Sequence, residues 1–193
     1  MSFSTHFTHA ITRRPAASIT AGLRAVDTGA PDLATMQAHH DAYIATLRVT
    51  GATVIELPPL DAYPDSVFVE DTAVCLPQGA VIMRPGAPSR LGEAAEMATH
   101  LRALYGRVVA ITGTDSFIEG GDILVTETEI LVGRSARTNA AGIAELAALD
   151  EAVDDRVGGN IGAPLIGLVE GSTDATAFAV EVSSFQLEGI VSF

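Results

Sequence analysis

The densest polar cluster in the chain is Asp65-Ser66-Val67-Phe68-Val69-Glu70-Asp71. It places Asp65, Glu70 and Asp71 in an apolar stretch, where carboxylates are costly to bury unless they are paired or bind a metal. Glu119, in Ile118-Glu119-Gly120-Gly121-Asp122, sits in a matching context: Phe68-Val69-Glu70 and Phe117-Ile118-Glu119 lie 49 residues apart. Each triplet is followed by an arginine, Arg90 after the first and Arg137 after the second, 47 residues apart. Carboxylates aimed at one pocket can hold a metal or an organic cation. Metal sites usually want further ligands at close spacing, and no His lies near these acids in sequence. A planar guanidinium suits paired carboxylates, because its fork of donors matches their oxygens. Arginines at the other end of the pocket would hold a carboxylate, so the set fits an amino acid with a cationic side chain. The plainer alternative is a set of solvated turn acids and surface arginines.

Composition narrows the chemistry further. The 193 residues contain 24 Asp and Glu against 11 basic residues, all of them Arg, for a net charge of −13. Such a charge opposes binding to nucleic acid or to an anionic membrane surface. With no Lys there is no phosphate-loop lysine and no Schiff-base lysine. With one Cys, Cys75, there is no internal disulfide and no multi-cysteine zinc cage. The longest apolar stretches, such as Ala163 to Val169, are far shorter than the roughly 20 residues that span a bilayer. No apolar run near the N-terminus reads as a secretory signal. A cytoplasmic protein with a small-molecule substrate, no metal and no cofactor is expected.

The elements that must position these residues alternate. Pro31-Asp32 opens a helix with Leu33, Met36, Ile44 and Leu47 at helical spacing, stopped by Gly51. Thr53 to Leu57 reads as a strand. Val67 to Leu76 and Ala80 to Arg84 read as two strands around a Pro77-Gln78-Gly79 turn. On such a strand Val67, Val69 and Asp71 would share one face, with Phe68 and Glu70 on the other. Ser89 is placed to cap a helix with Met97, Leu101 and Leu104 on one face, ending at Gly106. Arg107 to Thr112 comes next as a strand, then a hairpin of Asp122–Thr126 and Glu129–Gly133, then a helix from Thr138 to about Leu149. The hairpin–helix–strand order repeats with a period near 50, and a fainter copy begins at Ala10 to Arg14. Such a period means modules arranged around an axis or stacked in a row. Composition shifts near residue 147: residues 1–146 carry 16 acids and 10 arginines, residues 147–193 carry 8 acids and one arginine.

The strings YPDSVFVEDTAVC, RPGAPSR, IEGGD and GRSARTN, with RRPAAS and Leu23 nearer the start, resemble dimethylarginine dimethylaminohydrolase over about residues 6–149. The resemblance implies the pentein fold, an α/β propeller of five ββαβ modules, of which about three lie here. It also implies hydrolysis of methylated arginine to citrulline and an alkylamine. By the same resemblance Asp71 and Glu119 face the guanidinium, and Asp65 and Glu70 are further acidic pocket residues. Arg90 and Arg137 grip the substrate carboxylate, and the backbone of Leu23 helps hold the α-amino group. Glu119 orients a catalytic His, which serves a nucleophilic Cys. That His is expected after GRSARTN and that Cys near the C-terminus. This sequence has no His beyond His100 and no Cys beyond Cys75. Cys75 reads as a small buried thiol, and His39, His40 and His100 as helix-surface or satisfied residues. The expectation is therefore a chain of hydrolase ancestry that is itself inactive, or a non-catalytic binder of arginine-like ligands.

From about Arg156 the pattern changes. VGGNIGAPLI and AFAVEVSSFQLEGI resemble the central domain of UDP-N-acetylmuramoyl-alanine–glutamate ligase over about 38 residues. That resemblance implies that Asn160 and Ser183 lie near a nucleotide sugar and that Glu181 is a magnesium ligand. The ligase needs a phosphate-loop Lys, which is absent, so no ligation is expected. The expected organisation is a hydrolase-like region over 1–149 and a short unrelated α/β tail over 150–193, and a fragment of that ligase is the third reading of the chain. Open sheet edges in three modules out of five favour self-association into a homo-oligomer.

Overall fold

A computed structural model describes residues 7–153 except 25, 27, 28 and 127–129. The first strand, β1 (His9–Arg13), leads through a 3-10 turn to helix α1 (Leu33–Val49). Strand β2 (Thr53–Leu57) then returns parallel to β1, pairing His9 with Thr53 and Arg13 with Leu57. Asp32 caps α1 by accepting from the Thr35 amide at 2.7 Å. Gly51, at φ +90°, takes the left-handed turn that a side chain disfavours. Of the four apolar positions read for α1, Ile44 is buried, whereas Leu33, Met36 and Leu47 are half-buried.

The second module repeats the order with a full hairpin. Strands β3 (Ala73–Leu76) and β4 (Gly79–Ile82) pair antiparallel, and β5 (Val108–Ala110) lies parallel on the other side of β4 after helix α2 (Leu91–Leu101). In the third, β6 (Ile123–Val125) and β7 (Ile130–Val132) form a hairpin leading to α3 (Ala140–Val153). Glu129, read as the start of the last of these strands, lies outside the described residues. Two-stranded and three-stranded sheets therefore stand as separate blades, not as one continuous sheet. An antiparallel bridge between Arg84 and Ile118 links the second and third blades.

Strand β4 explains how the blades cohere. Ala80 and Ile82 pack with Leu57, Ala94, Met97 and Leu101, between the first and second modules. Val81 and the next-but-one residue, Met83, pack with Ile118, Ile130, Val132 and Leu146, between the second and third. The period of two thus sends alternate side chains of one strand into two cores, which is why GAVIM is apolar throughout.

Several boundaries differ from the sequence reading. The strand expected from Val67 begins only at Ala73, since residues 65–72 form successive turns and a 3-10 segment at Val69–Thr72. Ser89 does not cap α2; a 3-10 turn at Pro88–Arg90 feeds directly into the helix, with no side-chain cap. That helix stops at Leu101, leaving Leu104 exposed, while Met97 and Leu101 are buried as expected. Helix α3 starts two residues later than Thr138, because Asn139 turns its side chain to accept from the Gly142 amide at 2.8 Å. It also runs to Val153, across the composition shift at 147.

Candidate functional site

The site is built where the turn leading into β3 meets the turn leading into β6. The first of these is held by polar ties that override strand formation. Asp65 is buried, and its two carboxylate oxygens accept from the Leu23 amide at 3.0 and 3.2 Å. Asp71 is also buried, and its Oδ1 accepts from the Gly121 amide at 3.0 Å. Gly121 belongs to the next module, so Asp71 stitches the two turns together. The approach is close: a Cβ on Gly120 would stand 1.9 Å from the Glu70 carbonyl oxygen. Only glycine fits there.

Arg90, at the start of α2, lies within this turn with 4% of its surface exposed. Its Nη1 donates to Asp71 Oδ2 at 2.5 Å, its Nη2 donates to the carbonyls of Asp65 (3.4 Å) and Phe68 (3.3 Å), and its Nε donates to Glu93 Oε1. The bent path of residues 65–72 is a consequence: extended backbone could not bring both carbonyls to one guanidinium. Burial works against the Arg90 cation, but Asp71 and Glu93 outweigh it and raise its pKa. Glu93 is the converse case. Burial pushes its carboxyl up to about 7, although Arg90 pulls it down, and Asp65 and Asp71 add repulsion. Arg90 serves several acids, and Glu93, with one oxygen unsatisfied, is driven toward its neutral form.

Glu119 precedes β6 and is completely buried. Its Oε2 lies 2.8 Å from Arg137 Nη1 and 3.9 Å from Arg90 Nη1, yet neither carboxylate oxygen has a hydrogen bond of good geometry. Burial raises its pKa, opposed by Arg137 and Arg90 and helped by Asp71 and Asp122. The loop that brings Arg137 to it is fastened by Asp122, whose Oδ2 accepts from Ser135 Oγ (2.7 Å) and Thr138 Oγ1 (2.6 Å). Ser135 Oγ in turn accepts from the Arg137 amide at 2.9 Å, and Thr138 Oγ1 accepts from the Glu119 amide at 3.2 Å. Arg137 itself keeps 51% of its side chain exposed.

Among the residues singled out from sequence, Asp65, Asp71, Arg90, Glu119 and Arg137 converge, and Leu23 joins them through its backbone, its side chain being exposed. Glu70 is exposed rather than buried with the other acids, since the 3-10 segment breaks the alternation that a strand would impose. Acids and arginines do not stand at opposite ends of a pocket: Arg90 is paired directly with Asp71, because burial of either alone would strand a charge. Cys75, expected to be buried, is exposed on β3. The protein around it still desolvates the thiol and raises its pKa, against a hydrogen bond with Tyr105, so it is not a ready nucleophile. His39 and His40 lie on α1 and His100 on α2, as expected of helix residues. Asn160, Glu181 and Ser183 lie outside the described residues. Sequence reasoning missed Glu93, Asp122 and Thr138. Glu93 had one available signal, its i,i+3 spacing from Arg90 at a helix start. Among the described residues no group of three or more His, Cys, Asp or Glu is placed to hold a metal ion, and no helix is long and apolar enough to cross a membrane.

Comparison with known proteins shows the family and the fold. The sequence model of the arginine deiminase family matches residues 59–157. The chain is 39% identical over 145 residues to N(G),N(G)-dimethylarginine dimethylaminohydrolase of Pseudomonas aeruginosa, covering 75% of this chain and 57% of that protein. It therefore spans little more than half the length of that relative. A solved structure of dimethylarginine dimethylaminohydrolase from Pseudomonas aeruginosa, a cysteine-to-serine variant complexed with citrulline, superposes with a TM-score of 0.75 at 38% identity, over 81% of this chain and 60% of that one. The chain is also 35% identical over 116 residues to UDP-N-acetylmuramoylalanine–D-glutamate ligase of Geotalea daltonii, covering 58% of this chain and 23% of that protein. That stretch is longer than residues 156–193, so it takes in residues outside the ligase-like tail. The chain belongs to the arginine deiminase family and has the pentein fold of the dimethylarginine dimethylaminohydrolases.

Proposed function

We propose that the cluster around Glu119 binds the guanidinium of an arginine-like amino acid, as the substrate-holding part of a dimethylarginine dimethylaminohydrolase. The observation that carries this is Glu119 itself. It is fully buried, its Oε1 has no partner and its Oε2 is met closely only by the half-exposed Arg137 at 2.8 Å, so a guanidinium would supply N–H donors that the protein leaves out. The charge count points the same way. Asp65, Asp71, Glu93 and Glu119 are all buried, against the buried Arg90 and Arg13 and the half-exposed Arg137. An incoming cation offsets part of that excess. Arg137, tied to Glu119 at one nitrogen and half exposed, would turn its solvent-facing nitrogens to the ligand carboxylate.

In the reaction proposed for the family, Asp71 and Glu119 would fix the charge and orientation of the guanidinium carbon for attack, and Glu119 would orient the proton-carrying histidine. Relatives named for dimethylarginine hydrolysis, and a relative's structure holding citrulline, support this substrate class. Within the 193 residues no Cys follows Cys75 and no His follows His100, so this chain by itself is expected to bind without turnover. Calorimetric titration of the purified chain with L-arginine and with dimethylated L-arginine tests the binding. Heat that disappears in Asp71→Ala and Glu119→Gln is the expected result, and no heat in the folded wild type would refute the reading. Citrulline formation that is lost in Cys75→Ser would overturn the claim that turnover is absent.

A further inference from the structure

Behind Asp71 and Glu119 lies a carboxylate assigned no contact with the ligand. Glu93 stands in the first turn of α2 with 2% of its surface exposed. Its Oε1 accepts from Arg90 Nε, and its Oε2 is buried without a hydrogen-bond partner. The other charged groups facing it are Asp65 and Asp71 from the 65–72 segment and Arg13 from β1. Leaving a buried carboxylate oxygen unsatisfied costs more free energy than a neutral amide would, and an apolar residue would incur no such cost. The position calls for a role that needs the charge.

Asp71 shows what that role is. Both of its oxygens are engaged within the protein, Oδ1 by the Gly121 amide and Oδ2 by Arg90 Nη1. A ligand guanidinium must compete with Arg90 for this carboxylate. Were Asp71 the sole acid hydrogen-bonded to Arg90, drawing it away would strand a buried cation. Glu93 holds the same guanidinium at Nε, the edge away from Asp71. We propose that Glu93 is a positioning residue: it anchors Arg90 and carries its counter-charge, so that Asp71 can trade its bond to Arg90 for one to the incoming guanidinium. The proposal rests on the arginine-like ligand proposed above.

Glu93→Gln keeps the side-chain length and an oxygen for Nε while removing the charge. Titrations of the full chain with L-arginine between about pH 6 and about pH 8 should show wild-type affinity rising as Glu93 ionises. In E93Q the affinity near pH 8 should be about tenfold weaker, the value of one charge-assisted bond. The rise should shrink to the part that Glu119 supplies. Glu93→Asp, which keeps the charge, should keep the larger rise. Equal affinity and an equal pH profile in wild type and E93Q would overturn the proposal. Exchange of the Arg90 Nε–H, measured by nitrogen-edited NMR without ligand, should be about tenfold faster in E93Q; unchanged exchange would show that Glu93 does not anchor Arg90. If the wild type binds no arginine, the ligand reading fails. Faster exchange in E93Q would then leave Glu93 as a structural anchor only, which also overturns the trade of bonds at Asp71.

Discussion

Arg90 and Arg137 occupy matching points of two successive modules, and each meets a buried acid of the shared turn, yet their circumstances differ. Arg90 is 4% exposed and every nitrogen of its guanidinium has a partner. Arg137 is half exposed and touches Glu119 through one nitrogen. The difference arises from the residues just C-terminal to each arginine. Glu93 comes three residues after Arg90, on the helix face that turns inward, so Arg90 has an acid on each side. After Arg137 the chain turns through Thr138 and Asn139, which fasten backbone instead. One copy of the repeat thus became an internal keystone and the other a hand extended toward solvent. A repeat transmits position, while the neighbours of each copy decide its chemistry.

The contrast breaks most readily at Arg90. Arg90→Ala should cost about 3–5 kcal/mol of stability, because it leaves Asp71 and Glu93 buried without their cation. Urea unfolding monitored by circular dichroism measures this, and a loss under about 1 kcal/mol would mean that Arg90 is no keystone. A smaller effect sharpens the same contrast through pH. Glu93 is raised from the ordinary 4.5 to about 7, so between those values the folded state holds a proton that the unfolded chain has released. Its contribution to stability is full below about pH 4.5 and is lost as pH rises through about 7, on the order of 3 kcal/mol in all. Glu119 shifts in the same direction, so the Glu93 share is the difference between wild type and E93Q across that range. Identical pH dependence in the two proteins would contradict the burial of charge at Glu93. The smallest stability effect belongs to Arg137→Ala, about 1 kcal/mol or less, since its side chain is largely solvated and Glu119 can take up a proton. Its arginine affinity should nonetheless fall about tenfold. A variant that is destabilised as much as Arg90→Ala, with affinity intact, would reverse the roles assigned to the two arginines.

Legibility in the sequence varies by residue. Strand β2 matches the range read from its apolar run, and α1 starts where Asp32 and Pro31 signal a cap, because these signals are local. The convergence of Glu119, Arg90 and Arg137 is legible through the repeat, which relates them by offsets of 49 and 47 residues; the repeat pairs Glu119 with Glu70, which is exposed, and Asp71 is indicated by the family resemblance alone. The 65–72 segment reads as strand and is not one, since its apolar residues mimic a buried strand and the ties that bend it come from Leu23, Arg90 and Gly121. Glu93 is inconspicuous among helix residues, as an acid in a first turn is ordinarily a solvated partner of the helix dipole.

Residue order therefore determined the modules, their period and the inventory of charges, because hydrophobic periodicity and turn chemistry act over a few neighbours. Tertiary structure alone decided which charges are desolvated and which remain in water. That choice depends on two turns, 49 residues apart in sequence, being pressed together until one guanidinium must serve several carboxylates. Burial of this kind is a property of the packed arrangement, and it converts the same residue types into an anchored pair at Arg90 and an open one at Arg137.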